Sequence, residues 1–141
     1  MRFTEFYFTT LIKVAVMPKK VLIVEDYDDT RSFMKLLLES NGYQVIEAAD
    51  GIEALDKYKH QHPDIVLMDI SLPMVDGLTA TKAIREIEGD SSKLPIIAIT
   101  AFGKYYYKQA MEAGCNELIE KPVDFDTIES VLNNYFLSLP E

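Results

Sequence analysis

Five residues combine reactive chemistry with a common setting. Glu25 and Asp26, Asp69, Thr100 and Lys121 each follow directly on a short run that reads as a strand. Val21-Leu22-Ile23-Val24 leads into Glu25-Asp26, Ile65 to Met68 into Asp69, Ile96 to Ile99 into Thr100, and Glu117 to Glu120 into Lys121-Pro122. Three carboxylates brought into one crevice cannot all stay ionised without compensation. Hard carboxylate and carbonyl oxygens suit Mg2+, which keeps several waters and bridges to phosphate, and Lys121 supplies a fixed cation. A divalent cation, a lysine, a hydroxyl and a spare carboxylate together suit phosphoryl transfer, where catalysis is positioning and charge neutralisation. A carboxylate can itself be the nucleophile and become an acyl phosphate. Taken singly, each residue has an ordinary reading: helix caps for the acids and the threonine, surface charge for the lysine. Their shared placement at strand ends is what marks them as a set.

The elements that would carry them alternate in kind. Short β-branched apolar runs predict buried strands at Val21–Val24, Gln44–Ala48, Ile65–Met68 and Ile96–Ile99, with a less apolar strand at Glu117–Glu120 placed at an edge. Between them, apolar residues at helical spacing predict helices marked by Phe33, Met34, Leu37 and Leu38, by Ile52, Leu55 and Tyr58, by Leu78, Ala80, Ile84 and Ile87, by Lys104 to Ala113, and by Phe125, Ile128, Val131, Leu132, Tyr135 and Phe136. Asp28 or Asp29 is expected to cap the first helix and Asn41-Gly42 to end it. Asp50-Gly51 reads as a turn, Gly89 to Lys93 as a polar linker and Gly114 as a helix stop. Near-continuous apolar strands alternating with amphipathic helices predict an α/β fold with a parallel sheet covered on both faces. In such sheets chemistry sits beyond the carboxyl ends of the strands, where strand order reverses.

Composition sets limits on the rest. The 141 residues hold 14 Lys and Arg against 23 Asp and Glu, a net charge of −9, with 48% hydrophobic residues. Direct DNA binding is excluded by this acidity without a basic stripe. One cysteine, Cys115, allows no internal disulfide, as expected in the cytoplasm, and reads as a small buried residue. Residues 1–17 are aromatic and apolar but broken by Glu5 and Lys13, too short to span a bilayer and poorly matched to a signal peptide. They read as an N-terminal extension, with a docking or dimerising segment as the alternative, and residues 18–141 as the working domain.

The motifs Val-Leu-Ile-Val-Glu25-Asp26, Asp50-Gly51, Leu-Met-Asp69-Ile-Ser-Leu-Pro73-Met74-Val-Asp76-Gly77, Ile-Thr100-Ala101, Ala113-Gly114 and Lys121-Pro122 occur in order. On these the chain from Lys19 to about Leu139 resembles the receiver domain of two-component response regulators. The resemblance implies a flavodoxin-like (βα)5 fold with strand order 2-1-3-4-5. It implies a single-domain response regulator that accepts a phosphoryl group at Asp69 from a sensor histidine kinase or phosphotransfer protein and then binds an output partner. Glu25, Asp26, Asp69 and the backbone carbonyl of Ser71 would hold Mg2+, or Mn2+ in its place, with Glu25 acting mainly through water. Thr100, Ala101 and Lys121 would bind the phosphoryl group, Thr100 acting as the switch. Pro122 would be a cis-proline site, and Ser71 and Phe102 would flank the site at positions that influence phosphoryl lifetime. Leu118 departs from the pattern, because an aromatic switch residue usually stands there; Tyr105-Tyr106-Tyr107 offers aromatic surface nearby.

Other motifs fail. His60 and His62 have no partners at zinc spacing, and Gly103-Lys104 lacks the rest of a phosphate-binding loop. A phosphate-ester hydrolase built on Asp69 would need a second aspartate where Ser71 stands. No separate substrate turnover is therefore expected. The alternatives are a receiver-like interaction module that works without phosphorylation, or a receiver cut from a hybrid kinase.

Overall fold

The computed structural model describes residues 19–71, 76–91 and 94–137. The readings placed on residues 1–17, on Pro73 and Met74, on Ser92-Lys93 and on the chain after Leu137 lie outside the described residues. Each apolar run becomes a strand: β1 Lys20–Val24, β2 Gln44–Ala48, β3 Ile65–Asp69, β4 Ile96–Thr100 and β5 Glu117–Glu120. Helices follow each one: α1 Asp28–Ser40, α2 Gly51–Gln61, α3 Gly77–Glu88, α4 Gly103–Ala113 and α5 Phe125–Phe136. The strands form one parallel sheet in the order β2-β1-β3-β4-β5, with β5 at an edge as expected. The chain reverses direction across the sheet between β1 and β3, which places the crevice beside Glu25, Asp26 and Asp69.

Strand alternation divides the core in two. Leu22, Val24, Val66, Met68 and Ala98 face one side and pack with Ala54, Ala80, Ile84 and Ala110 of α2, α3 and α4. Val21, Ile23, Leu67, Ile97 and Ile99 face the other and pack with Leu38 of α1 and with Ile128, Val131 and Leu132 of α5. Alanines contribute three of the four fully buried helical residues in the first cluster.

Three helices begin on their own aspartate. Asp50, Asp76 and Asp124 each accept at 2.8 Å from the backbone N–H three residues on. Asp50-Gly51 is thus a helix start rather than a free turn. The expected cap at Asp28 or Asp29 is corrected: Tyr27 occupies the N-cap of α1 and offers no side-chain cap, and the two aspartates lie in the first turn. There they favour the helix dipole without closing the helix end. Helix α4 starts one residue earlier than expected, at Gly103, again with no side-chain cap, from Phe102. Asn41 ends α1, and Gly114 ends α4 with φ +110°, a conformation that favours glycine. Phe33, Ile52 and Ile87 are exposed rather than inward, since they lie beside the helix stripe that meets the sheet.

Candidate functional site

The crevice gathers side chains from three strand ends. One carboxylate oxygen each of Glu25, Asp26 and Asp69 lies within 4.8 Å of the others. Asp69 is only 4% exposed and Glu25 5%, whereas Asp26 opens to solvent. Lys121 reaches over from β5, with Nζ 3.0 Å from Asp69 Oδ2 and 3.5 Å from Glu25 Oε1. The other oxygen of Asp69 accepts from the Ser71 N–H at 2.8 Å. The strand ends are also joined through the backbone. The Lys121 N–H donates to the Thr100 carbonyl, and the Ile70 N–H to the Ile99 carbonyl.

The charges are unequal. Glu25 is pushed up to about 8, first by burial and then by the adjacent Asp69. Asp69 is held below the usual aspartate range: burial opposes this, but hydrogen bonds from Glu25, the Ser71 N–H and Lys121 outweigh it. Lys121 is raised because the two carboxylates outweigh its own burial. Without a cation, therefore, the pair keeps one proton, on the Glu25 side. As an ion, Glu25 leaves Oε2 buried with no donor among the described residues. An orphaned hard oxygen beside two more carboxylates is what a divalent cation would satisfy, so the donor set fits Mg2+.

Thr100 is fully buried, and its hydroxyl accepts from the Phe102 N–H at 3.2 Å, within its own loop. Leu118 packs on the first core cluster, and a Cβ at Gly103 would lie 3.1 Å from Leu118 Cδ2. The first turn of α4 is thus seated directly on β5. The Gly103 N–H also donates to the Glu120 carboxylate, at 3.3 Å. The Lys121–Pro122 peptide bond is cis, as expected. Ala101 and Pro122 border a cavity of about 510 Å3 that opens beside Asp69 and has Phe33, Met34 and Ile128 on its apolar wall. Of the three tyrosines, Tyr106 packs toward the core, while Tyr105 and Tyr107 are exposed. Cys115 is buried against Thr81, and both histidines are exposed.

Sequence reading missed four features. The cavity wall was read as core stripe. Gly77 lies beneath Asp69, where a Cβ would fall on the Asp69 carbonyl and 2.7 Å from Ile70 Cα. Glu120 closes α4. Arg31 donates to the Glu25 carbonyl at 2.8 Å. Only the Asp28–Arg31 spacing of three residues could have hinted at the last of these.

Comparison with known proteins agrees with this geometry. The family model described as response regulator receiver domain matches residues 21–133. The polar-differentiation response regulator DivK of Brucella ovis is 39% identical over 123 residues, covering 84% of this chain and 99% of DivK. The receiver domain of a Pseudomonas aeruginosa sensor histidine kinase, crystallised with magnesium coordinated in its active-site cleft, superposes with a TM-score of 0.78. It is 33% identical, with 86% of this chain and 99% of that one covered. The Saccharomyces cerevisiae Ssk1 receiver domain, crystallised with the histidine phosphotransfer protein Ypd1, gives a TM-score of 0.79 at 26% identity, covering 85% of this chain and 90% of that one.

Proposed function

This chain belongs to the response regulator receiver domain family, and we propose from that premise that it works as a single-domain response regulator with Asp69 as phosphoacceptor. The observation that carries the reading is the setting of Asp69, with one oxygen held by the Ser71 N–H and the other by Lys121, beside Glu25 Oε2, which as part of a carboxylate has no donor among the described residues. Matching 99% of the DivK relative supports the single-domain form, and the family match over 21–133 supports a working domain of 18–141 with 1–17 outside it.

An Asp69 carboxylate oxygen attacks the phosphorus of a phosphohistidine on a sensor kinase or phosphotransfer protein. The O–P bond forms as the N–P bond breaks, and the electron pair leaves with the imidazole nitrogen. Lys121 pairs with the phosphoryl oxygens, and burial of Asp69 excludes bulk water. Glu25, Asp26, Asp69 and the Ser71 carbonyl would hold Mg2+, with Mn2+ as a substitute. When bound, the ion neutralises the charge of the transferred group. The Thr100 hydroxyl, whose oxygen accepts from the Phe102 N–H, turns to donate its O–H to the phosphoryl group, and Ala101 moves with it. With Leu118 in the usual aromatic position, this movement reaches the surface through Gly103 and the first turn of α4. Output is binding of a partner protein, and the only turnover is loss of the chain's own phosphoryl group. A cytoplasmic location accompanies this reading. No helix among the described residues is long and apolar enough to cross a membrane.

Incubation with acetyl phosphate and Mg2+, followed by intact-mass measurement, tests the reading. One added phosphoryl mass is expected in the native chain and none in Asp69→Asn. No addition to the native chain, or an unchanged addition to the variant, overturns it.

A further inference from the structure

The turn that carries Glu25 and Asp26 sits between β1 and a helix that has no side-chain cap. Something else must fix it, because Asp26 is exposed and a flexible carboxylate is a poor ligand. Arg31 stands one turn into α1, with its side chain 16% exposed. All three of its guanidinium nitrogens are engaged. One donates to the Glu25 carbonyl at 2.8 Å, one to Asp28 Oδ1 at 2.6 Å, and Nε lies 3.4 Å from Glu47 Oε1 on β2. Lys35 holds the other oxygen of Glu47 at 3.2 Å, so the β2 anchor is itself braced. A planar fork of this kind is rigid in a way that an ammonium is not.

We propose that Arg31 is a positioning residue for the cation site: it brackets the β1–α1 turn to β2 and so sets the direction of Glu25 and Asp26. The physical link is short. The carbonyl and side chain of Glu25 leave the same Cα, and the held carbonyl belongs to the peptide plane shared with Asp26. Clamping that plane restricts both carboxylates at once. The inference rests on the reading that Glu25, Asp26 and Asp69 hold a divalent cation.

The sign of the effect separates positioning from charge. Arg31 is a cation beside a cation site, so removing its charge alone would tighten Mg2+ binding through weaker repulsion. Losing the bracket would loosen it. Mg2+ titrations by calorimetry on the native chain, Arg31→Gln and Arg31→Lys decide the matter, with circular dichroism confirming the fold. Arg31→Gln is expected to weaken binding about tenfold, the lower end of what loss of a ligand-orienting group costs. Arg31→Lys keeps the repelling charge but not the fork, and it too is expected to bind Mg2+ more weakly than the native chain. In both variants the rate of phosphorylation by acetyl phosphate returns to the native value at saturating Mg2+, because Asp69 and Lys121 are untouched. Equal or tighter Mg2+ binding by Arg31→Gln, native affinity in Arg31→Lys, or a rate still depressed at saturation overturns the proposal. If Arg31→Gln does not fold, Arg31→Lys decides alone. A native chain that binds no Mg2+ overturns the underlying cation-site reading instead.

Discussion

Two kinds of helix start surround the same sheet. Helices α2, α3 and α5 are closed by their own N-cap aspartates, Asp50, Asp76 and Asp124. Helices α1 and α4 begin on Tyr27 and Phe102 without such a cap: Arg31, from within α1, ties the preceding turn to β1 and β2, and the Glu120 carboxylate of β5 accepts from the Gly103 N–H at the start of α4. The self-capped helices carry their closure with them. The other two are closed by contacts that also touch the strand ends bearing Glu25, Asp26, Thr100 and Lys121. A helix closed in that way can register a change in the site through its closure, whereas the cap of a self-capped helix does not involve the residues of the site.

The strongest test of that contrast lies under the phosphoacceptor. Gly77→Ala forces a methyl group onto the Asp69 backbone at the start of a self-capped helix. Urea unfolding should show a loss of about 3 kcal/mol, as for overpacking elsewhere, and acetyl phosphate should modify the variant poorly.

The next effect is one of pH. Glu25 rises from 4.5 to about 8 on folding, so the folded metal-free chain binds its proton more tightly than the unfolded one. That stabilisation is complete below 4.5 and is lost as pH rises through about 8. Mg2+ competes with the same proton. Its affinity should therefore climb up to about tenfold per pH unit on the acid side of that value and level off above it, which calorimetry over a pH series reads directly. A flat profile would mean that the turn before α1 does not carry the proton.

Asp50→Ala should cost about 1 kcal/mol by thermal unfolding and leave Mg2+ affinity unchanged, the signature of an insulated cap. The smallest effect belongs to Glu120→Ala. Its long, part-buried hydrogen bond contributes about 0.5 kcal/mol. Even so, amide exchange at Gly103 to Tyr105 should speed up, and the difference in exchange there between phosphorylated and unphosphorylated protein should shrink. A Glu120→Ala variant with native exchange at these amides would place α4 with the helices whose closure does not involve the site.

Much of this molecule could be read before it was seen. Five strands and five helices follow from runs of β-branched residues and from helical spacing, which are local properties. The cation-site acids, Thr100 and Lys121 stood out because each ends such a run. The errors were also local in origin. Asp28 and Asp29 looked like caps because acids before a helix usually are, yet the helix began one residue sooner and took them into its first turn. Phe33 counted toward an apolar stripe, but spacing alone could not show that its flank of α1 opens onto the cavity beside Asp69.

The inventory of reactive groups and their order along the chain is written in the sequence, since side-chain chemistry and strand or helix preference belong to a residue and its near neighbours. Their convergence is not. Glu25 and Lys121 are brought within 3.5 Å because β1 pairs with β3, β3 with β4 and β4 with β5. The closeness of Gly103 to Leu118 and the grip of Arg31 on the Glu25 carbonyl likewise appear only once separate elements pack. Such contacts depend on the positions of two backbones at once, and no pattern along one of them records the distance to the other.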